Sequence, residues 1–169
     1  RIGAEILGTA SPEKHEFLKK QGVKHVFHSR NFSFADGVRA ATRGRGVDVV
    51  INSLAGEFIP RTLELLASGG RFVEIGKKDL FQNTPLDLNP FRSSISFTAV
   101  DLAKLVARRP EWIGKRLRAL MELFAAGTFT PLEATVFPAE QLQDAFRLMA
   151  QGKHRGKLVI AMSGTPEVL

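Results

Sequence analysis

The sequence predicts an α/β fold: a doubly wound parallel sheet with helices on both faces. Apolar strand segments alternate with helical segments over short connections from residue 4 to residue 76, as parallel crossover units require. One segment, Val47–Asn52, is β-branched and unbroken, which is typical of a strand buried on both faces of such a sheet. The 169 residues are 44% hydrophobic and 24% charged, which fits one ordinary globular domain.

The elements of the first half follow from apolar spacing and from residues that start or end helices. Ser11 and Pro12 suit a helix start, and Gly22 and Gly69-Gly70 suit helix ends. The predicted order is an apolar strand segment at 4–10, a helix at Pro12–Gln21, a strand at His25–His28, a helix at Phe34–Thr42, a strand at Val47–Asn52, a helix at Glu57–Ala67 and a strand at Arg71–Gly76.

The second half is less regular. Its clearest helix has apolar residues at helical spacing, namely Ile113, Leu117, Leu120, Met121 and Phe124. The predicted order is an irregular stretch at Lys77–Arg92, a strand at Ser94–Val100, a helix at Trp112–Ala126, an extended piece at Pro131–Phe137, a helix at Pro138–Met149, a strand at Lys157–Met162 and the start of an inter-domain linker at 163–169.

Composition excludes several function classes. The chain has no cysteine, and its four histidines show no ligand spacing, so neither a disulfide framework nor a metal site is expected. It has no long apolar run and no signal-peptide pattern, which predicts a cytoplasmic protein without a membrane span. The net charge of +7 calls for an anionic partner. Because the basic residues form scattered pairs without interleaved aromatics, a phosphate-bearing cofactor is favoured over nucleic acid.

One expected motif is absent. A Rossmann-like dinucleotide fold opens with a central strand and a G-x-G-x-x-G turn into a helix, and this chain contains no such turn. We therefore expect residues 1–162 to be the C-terminal part of an NADP-binding domain whose first strand and Gly-rich loop precede this sequence.

Three segments resemble one known family: Asn52-Ser53-Leu54-Ala55, the stretch from Gly69 to Leu80 (GGRFVEIGKKDL) and the stretch from Asp144 to Lys157 (DAFRLMAQGKHRGK). Together they resemble the enoyl reductase domain of type I polyketide synthases and animal-type fatty acid synthases. That family is a zinc-free branch of the medium-chain dehydrogenase/reductase superfamily. The resemblance implies reduction by NADPH of the α,β double bond of an enoyl thioester, carried by the phosphopantetheine of an acyl carrier protein. It also implies neighbouring megasynthase domains and is compatible with a homodimer.

The cofactor residues combine spacing with this resemblance. NAD enzymes place a carboxylate where the second strand ends, to bind the ribose 2′-hydroxyl, whereas NADP enzymes supply cations there. Here the first acid, Glu13, lies inside the next predicted helix. The family match places the 2′-phosphate at Ser11, Lys14, Ser29 and Arg30. Position at the carboxyl edge of the parallel sheet predicts that Asn52, Ser53 and Leu54 line the nicotinamide ribose side and that Gly76 allows close approach of the backbone to the cofactor. The alternatives are solvated surface cations, a polar helix-start turn and a turn glycine.

The resemblance also identifies a proton-donating pair, Lys77 and Asp101, at the ends of successive strands. An ammonium beside a carboxylate keeps its proton and suits an enolate, but an ordinary ion pair and proton delivery by water are alternatives. The family places Lys153 and His154 near the nicotinamide, where the alternative is a solvated basic turn. Charge alone suggests a carrier-protein surface at Arg108, Arg109 and Arg116.

Two other functions compete with enoyl reduction. One is a free-standing quinone oxidoreductase of the same superfamily. The other is a catalytically silent structural domain of a megasynthase.

Overall fold

The computed structural model describes residues 2–162. The chain divides into two compact units, Arg1–Lys104 and Leu105–Leu169, where the sequence predicted a single domain. The linker predicted at 163–169 lies outside the described residues.

The first unit contains both sheets that carry the predicted cofactor residues. Its elements in order are β1 (Leu7–Ala10), a 3₁₀ turn (Pro12–Lys14), α1 (His15–Lys20), β2 (His25–His28), α2 (Ser33–Ala41), β3 (Val47–Asn52), α3 (Phe58–Leu63), β4 (Leu66–Glu74), α4 (Lys78–Gln82), a 3₁₀ turn (Asn89–Ser93) and β5 (Ser96–Ala99). Helix α5 (Leu102–Arg108) spans the division between the units.

All strand pairs of this unit are parallel. β1 pairs with β2, and β4 lies between β3 and β5 in a second sheet. Parallel neighbours need crossover connections, which here run through helices. The predicted fold class is therefore confirmed. Since the strands are parallel, the carboxyl ends of neighbouring strands lie at one edge of each sheet.

Two apolar clusters hold the unit together. One surrounds Phe72, which is fully buried and stacks on Phe97 with ring centroids 5.1 Å apart. Its buried members are Ile59, Leu63, Leu66, Phe72 and Ile95. The other packs α2 against both sheets, with Phe34, Ala35, Val38 and Leu65 buried and Leu7, Phe27, Val47 and Phe58 around them. α2 therefore positions the β1–β2 sheet relative to β3.

A cavity of about 790 Å³ separates β1 from β3 and is lined by residues of both strands. Val49 and Ile51 of β3 are 45% and 74% exposed. The prediction that β3 is buried on both faces is therefore wrong. Within residues 2–162 no strand lies between β1 and β3, and both of these apolar side chains border the cavity. This gap lies where the strand order of a dinucleotide fold places its first strand.

Several predicted boundaries need correction. The helix expected at Glu57–Ala67 ends at Leu63, and β4 begins at Leu66, so Gly69 and Gly70 lie within a strand and do not end a helix. The cause is pairing: the Val47 N–H donates to the Leu65 carbonyl over 2.8 Å, which draws this apolar segment into the sheet. The stretch expected to be irregular contains α4 and a 3₁₀ turn.

The second unit contains α6 (Pro110–Ala125), β6 (Ala134–Pro138), a 3₁₀ turn (Ala139–Gln141), α7 (Leu142–Ala150) and β7 (Lys157–Ala161), with β6 and β7 paired in parallel. α6 begins two residues before its predicted start, because a proline fits the first helical turn. Pro138 ends a strand and does not begin a helix. Across residues 2–162, no helix is long and apolar enough to cross a membrane.

Candidate active site at the carboxyl ends of the strands

The ends of β1 and β2 bring the predicted 2′-phosphate residues to one place. The Ser29 N–H donates to the Ala10 carbonyl over 3.0 Å, which ties the end of β2 to the end of β1. Ser11 follows Ala10 directly and Arg30 follows Ser29. The Lys14 N–H donates to the Ser11 carbonyl over 2.9 Å and closes the turn that follows β1. The hydroxyl and the two cations therefore lie around the ends of two neighbouring strands.

Glu13 lies among the same groups. Hydrogen bonds from its own backbone N–H and from the Ser11 hydroxyl hold its carboxyl pKa below the ordinary value of 4.5, and the charges of Arg30 and Lys14 act in the same direction. The Ser11 side chain does not cap the following turn, as the sequence suggested it would. The cations remain at the surface.

The ends of β3 and β4 are joined by a buried polar pair. Asn52 and Glu74 are opposite each other in the strand register, and they are 6% and 2% exposed. The Asn52 side-chain amide donates to Glu74 Oε2 over 2.5 Å and to the Leu54 carbonyl over 2.7 Å. Its oxygen accepts a 3.2 Å hydrogen bond from the Leu54 N–H. The polar atoms of the Asn52 side chain are thus hydrogen-bonded within the protein. Of the groups predicted to contact the nicotinamide side, the backbone of the loop after β3 is the one left available.

The loops after β3 and β4 enclose a second cavity, of about 250 Å³. Apolar side chains and backbone make most of its wall, including Leu54, Ile59, Pro60, Gly76, Leu86 and Phe97. A hydrogen bond from the Gly56 N–H to the Asp79 carboxylate over 3.0 Å connects the loop after β3 to the start of α4. A partly apolar cavity at the carboxyl edge of a parallel sheet is the usual position of a ligand in this fold class.

Lys77 and Asp101 form the predicted pair. Lys77 Nζ lies 2.8 Å from Asp101 Oδ1, and the two side chains are 43% and 23% exposed. The hydrogen bond from Lys77 lowers the carboxyl pKa of Asp101 below its ordinary 3.8, and a hydrogen bond from the Lys104 N–H adds to this. The carboxylate is therefore charged throughout the physiological range, and it orients an ammonium that water can reach.

This pair predicts a specific acid response. Because the pKa of Asp101 is lower in the folded chain than its ordinary value of 3.8, the ionised carboxylate stabilises the fold above that pH. This stabilisation is lost as the pH falls through the pKa of the folded chain. We expect the unfolding free energies of the parent chain and of Asp101→Asn to differ by a constant amount above about pH 5, and to converge as the pH falls toward about 3. Denaturant unfolding across this range tests this, and a difference that does not change with pH would contradict it.

Other predicted residues lie elsewhere. Lys153 and His154 belong to the second unit, where Lys153 is exposed and His154 Nδ1 is buried without a hydrogen-bond partner among the described residues. Their role near the nicotinamide stays a prediction. The His15 ring lies 3.1 Å from the Ala10 carbonyl oxygen, and the His28 ring accepts the Arg30 N–H over 3.0 Å.

Glu74 was not predicted as a site residue. Arg71–Gly76 was predicted as an ordinary strand, although alternation along a strand places Glu74 on the same face as Phe72. Phe72 is an obvious core residue, so this two-residue spacing was the available signal that the carboxylate is buried.

Comparison with known proteins identifies the family. A family model described as a zinc-binding dehydrogenase matches residues 21–160. A mycocerosic acid synthase-like polyketide synthase of Mycolicibacterium smegmatis is 46% identical over 164 residues, which make up 96% of this chain and 8% of that protein. The nucleotide-binding subdomain of the enoylreductase domain of PpsC from Mycobacterium tuberculosis is 43% identical with a TM-score of 0.71, over 76% of this chain and 73% of that one. The chain belongs to the zinc-binding dehydrogenase family, among polyketide synthase enoyl reductases.

Membership of this family confirms the resemblance stated from the motifs. The CurF ER cyclopropanase of the curacin A biosynthetic pathway is also similar in structure to this chain, with a TM-score of 0.85 and 38% identity over 95% of this chain and 48% of that one. The chain thus spans about half of that structure and a small part of the long synthase. The PpsC match is to a nucleotide-binding subdomain.

The zinc in the family's description does not fit the residues present. The chain contains no cysteine. Over residues 2–162, no group of three or more histidine, aspartate and glutamate side chains could hold a metal ion. We therefore assign no step to a metal.

Proposed function

We propose that this chain is the NADPH-binding half of an enoyl reductase that acts on an enoyl thioester carried by an acyl carrier protein. The proposal rests on one observation: the first unit has two separate sites, and each lies at the ends of neighbouring strands. One is the hydroxyl and cation set after β1 and β2, and the other is the Lys77–Asp101 pair after β4 and β5.

The residues after β1 and β2 suit a 2′-phosphate. No carboxylate directly follows β1, where an NAD enzyme would hold the ribose 2′-hydroxyl. Arg30 and Lys14 are close enough to one carboxylate, that of Glu13, to lower its pKa. A phosphate placed there would receive charge-assisted hydrogen bonds from the guanidinium and the ammonium. NADPH held by these residues would supply the hydride for the β-carbon of the substrate.

Lys77 completes the reaction on the proton side. Hydride addition leaves negative charge on the thioester oxygen and the α-carbon, and the Lys77 ammonium stabilises that charge and donates a proton to the α-carbon. Its 43% exposure lets water return the proton, and Asp101 holds the side chain in place by a 2.8 Å hydrogen bond. Direct protonation by water remains the competing route.

The decisive experiment measures NADPH consumption with a crotonyl-pantetheine thioester, using a complete enoyl reductase domain that carries this chain. Product analysis is included because a structurally similar protein is a cyclopropanase. Formation of the saturated thioester supports the proposal. NADPH binding without thioester reduction, but with quinone reduction, would favour the quinone oxidoreductase alternative. The absence of any NADPH binding would favour the silent structural domain.

Arg30→Ala tests the cofactor preference. Losing hydrogen bonds to a charged group costs about 1.5–3 kcal/mol, so KM for NADPH is expected to rise by about 10- to 100-fold. KM for NADH should stay within about twofold of the parent value, since NADH has no 2′-phosphate. Lys24→Ala is the matched control, because Lys24 is an exposed cation just before the opposite end of β2. An equal loss for both cofactors would contradict the phosphate assignment.

The carrier protein is part of the proposal. Carrier proteins are acidic, and the exposed arginines Arg108, Arg109 and Arg116 lie around the junction of α5 and α6. The Arg116 guanidinium lies 5.0 Å from the centre of the Trp112 ring, which restricts its orientation. Reversing the three charges should weaken carrier-protein binding, and unchanged affinity would remove this surface. The cytoplasmic location expected from the sequence belongs to the same proposal.

A further inference from the structure

Glu74 is an unusual residue for the interior of this sheet. It ends the central strand β4, is 2% exposed, and is in register with Asn52 of β3 on one side and Ala99 of β5 on the other. Burying an ionised carboxylate is costly unless donors satisfy its oxygens. Here each oxygen has a donor: Asn52 Nδ2 donates to Oε2 over 2.5 Å, and the Gly76 N–H donates to Oε1 over 2.5 Å.

These hydrogen bonds join the two loops that bear the predicted nicotinamide contacts. The Asn52 amide that binds Glu74 also binds the Leu54 carbonyl, and its oxygen accepts from the Leu54 N–H. One continuous network therefore runs from the Leu54 backbone through Asn52 and Glu74 to the Gly76 N–H. Lys77, the proposed proton donor, is the next residue along the chain, so the network ends one residue before it.

Gly76 shows how tightly the carboxylate fits. A Cβ added at this glycine would lie 2.6 Å from Glu74 Oε1 and 3.3 Å from the Ser53 carbonyl oxygen. The first distance is shorter than real Cβ contacts, so a side chain at this position would displace the carboxylate from its two donors. The carboxylate thus lies directly against the backbone that precedes Lys77.

We propose that Glu74 is a positioning residue for the reaction: it fixes the backbone of the loops after β3 and β4, and thereby the nicotinamide contacts and Lys77. This inference rests on the proposed function. Glu74 borders the 250 Å³ cavity, but both of its oxygens accept hydrogen bonds from the protein, so its role here is to hold the two loops. Its effect is expected on the rate of the chemical step, while the affinity set by the 2′-phosphate residues after β1 and β2 should be little changed.

The test is Glu74→Gln in the complete domain. A glutamine places its amide nitrogen against one of the two donors, so one of these hydrogen bonds is lost. We expect kcat to fall about tenfold or more while KM for NADPH stays within about twofold. Adding Asn52→Asp restores an acceptor opposite the glutamine amide but loses the donor to the Leu54 carbonyl, so the double variant should recover only part of the lost kcat. Recovery of this kind is not expected from two independent destabilising changes.

Ile95→Val separates positioning from stability. Ile95 is a buried member of the Phe72 cluster, and the smaller side chain lowers stability without altering the loops. Comparison of kcat with Tm for the variants decides the outcome. If Glu74→Gln keeps a kcat within about twofold of that of Ile95→Val, the inference is overturned while the proposed function stands. If the parent domain binds no NADPH, both fall.

Discussion

Alanine at position 77 is expected to lower kcat of the complete enoyl reductase domain by about 10²-fold, at the low end of what a positioned general acid supplies. The low end applies because Lys77 is 43% exposed, so water can partly replace it as proton donor. KM for NADPH should change little, since the groups proposed to bind the 2′-phosphate follow other strands. Steady-state kinetics with the crotonyl-pantetheine thioester measure both constants.

Lys78→Ala is the matched control for this variant. It removes the same charge from the adjacent exposed residue at the start of α4, and it breaks no ion pair of Lys77. We expect its kcat to stay within about twofold of the parent value. Equal rates for Lys77→Ala and the parent would show that water delivers the proton, and the Lys77–Asp101 pair would then be an ordinary ion pair at the sheet edge.

Phe72→Ala is expected to cause the largest loss of stability. Phe72 is fully buried beneath the sheet and stacks on Phe97, so its removal leaves a cavity among Ile59, Leu63, Leu66 and Ile95. Truncations of this kind cost about 3–5 kcal/mol, which is a large fraction of the stability of a typical domain. Denaturant unfolding, read from the free energy extrapolated to water, measures the loss.

The control for this core variant is Phe81→Ala. Phe81 lies in α4 and is 74% exposed, so its truncation should change the unfolding free energy by no more than about 0.5 kcal/mol. A loss below about 1 kcal/mol for Phe72→Ala would mean that the surrounding side chains fill the space, and that the Phe72 cluster is not the main support of this sheet.

The alternation of strands and helices was predictable, because each strand is a short apolar run bounded by turn residues. The boundary between α3 and β4 was not. The apolar residues Leu63, Leu65 and Leu66 fit a helix and a buried strand equally well, and only the pairing with Val47 decides for the strand. Such pairing depends on residues distant in sequence, which local patterns do not contain.

The candidate site was likewise predicted only in part from the sequence. Lys77 and Asp101 were predicted because each ends a strand, and neighbouring strand ends meet in a parallel sheet. The exposure of Val49 and Ile51 was not predicted, because an unbroken β-branched run does not show whether one or both faces of the strand are covered. The network of Glu74 and Asn52 was missed because a single acid in a strand is usually on the solvent side.

The purely parallel pairing of the described strands also bears on how the chain folds. Leu7 pairs with His25, Phe72 with Phe97 and Val136 with Val159, so each of these strands meets its partner only after about 18 to 25 further residues. No pair forms by a tight hairpin, and every pairing waits for the crossover that follows it. This places folding among the moderately slow mixed α/β domains. During synthesis, each strand pair can then form in chain order, soon after its second strand leaves the ribosome.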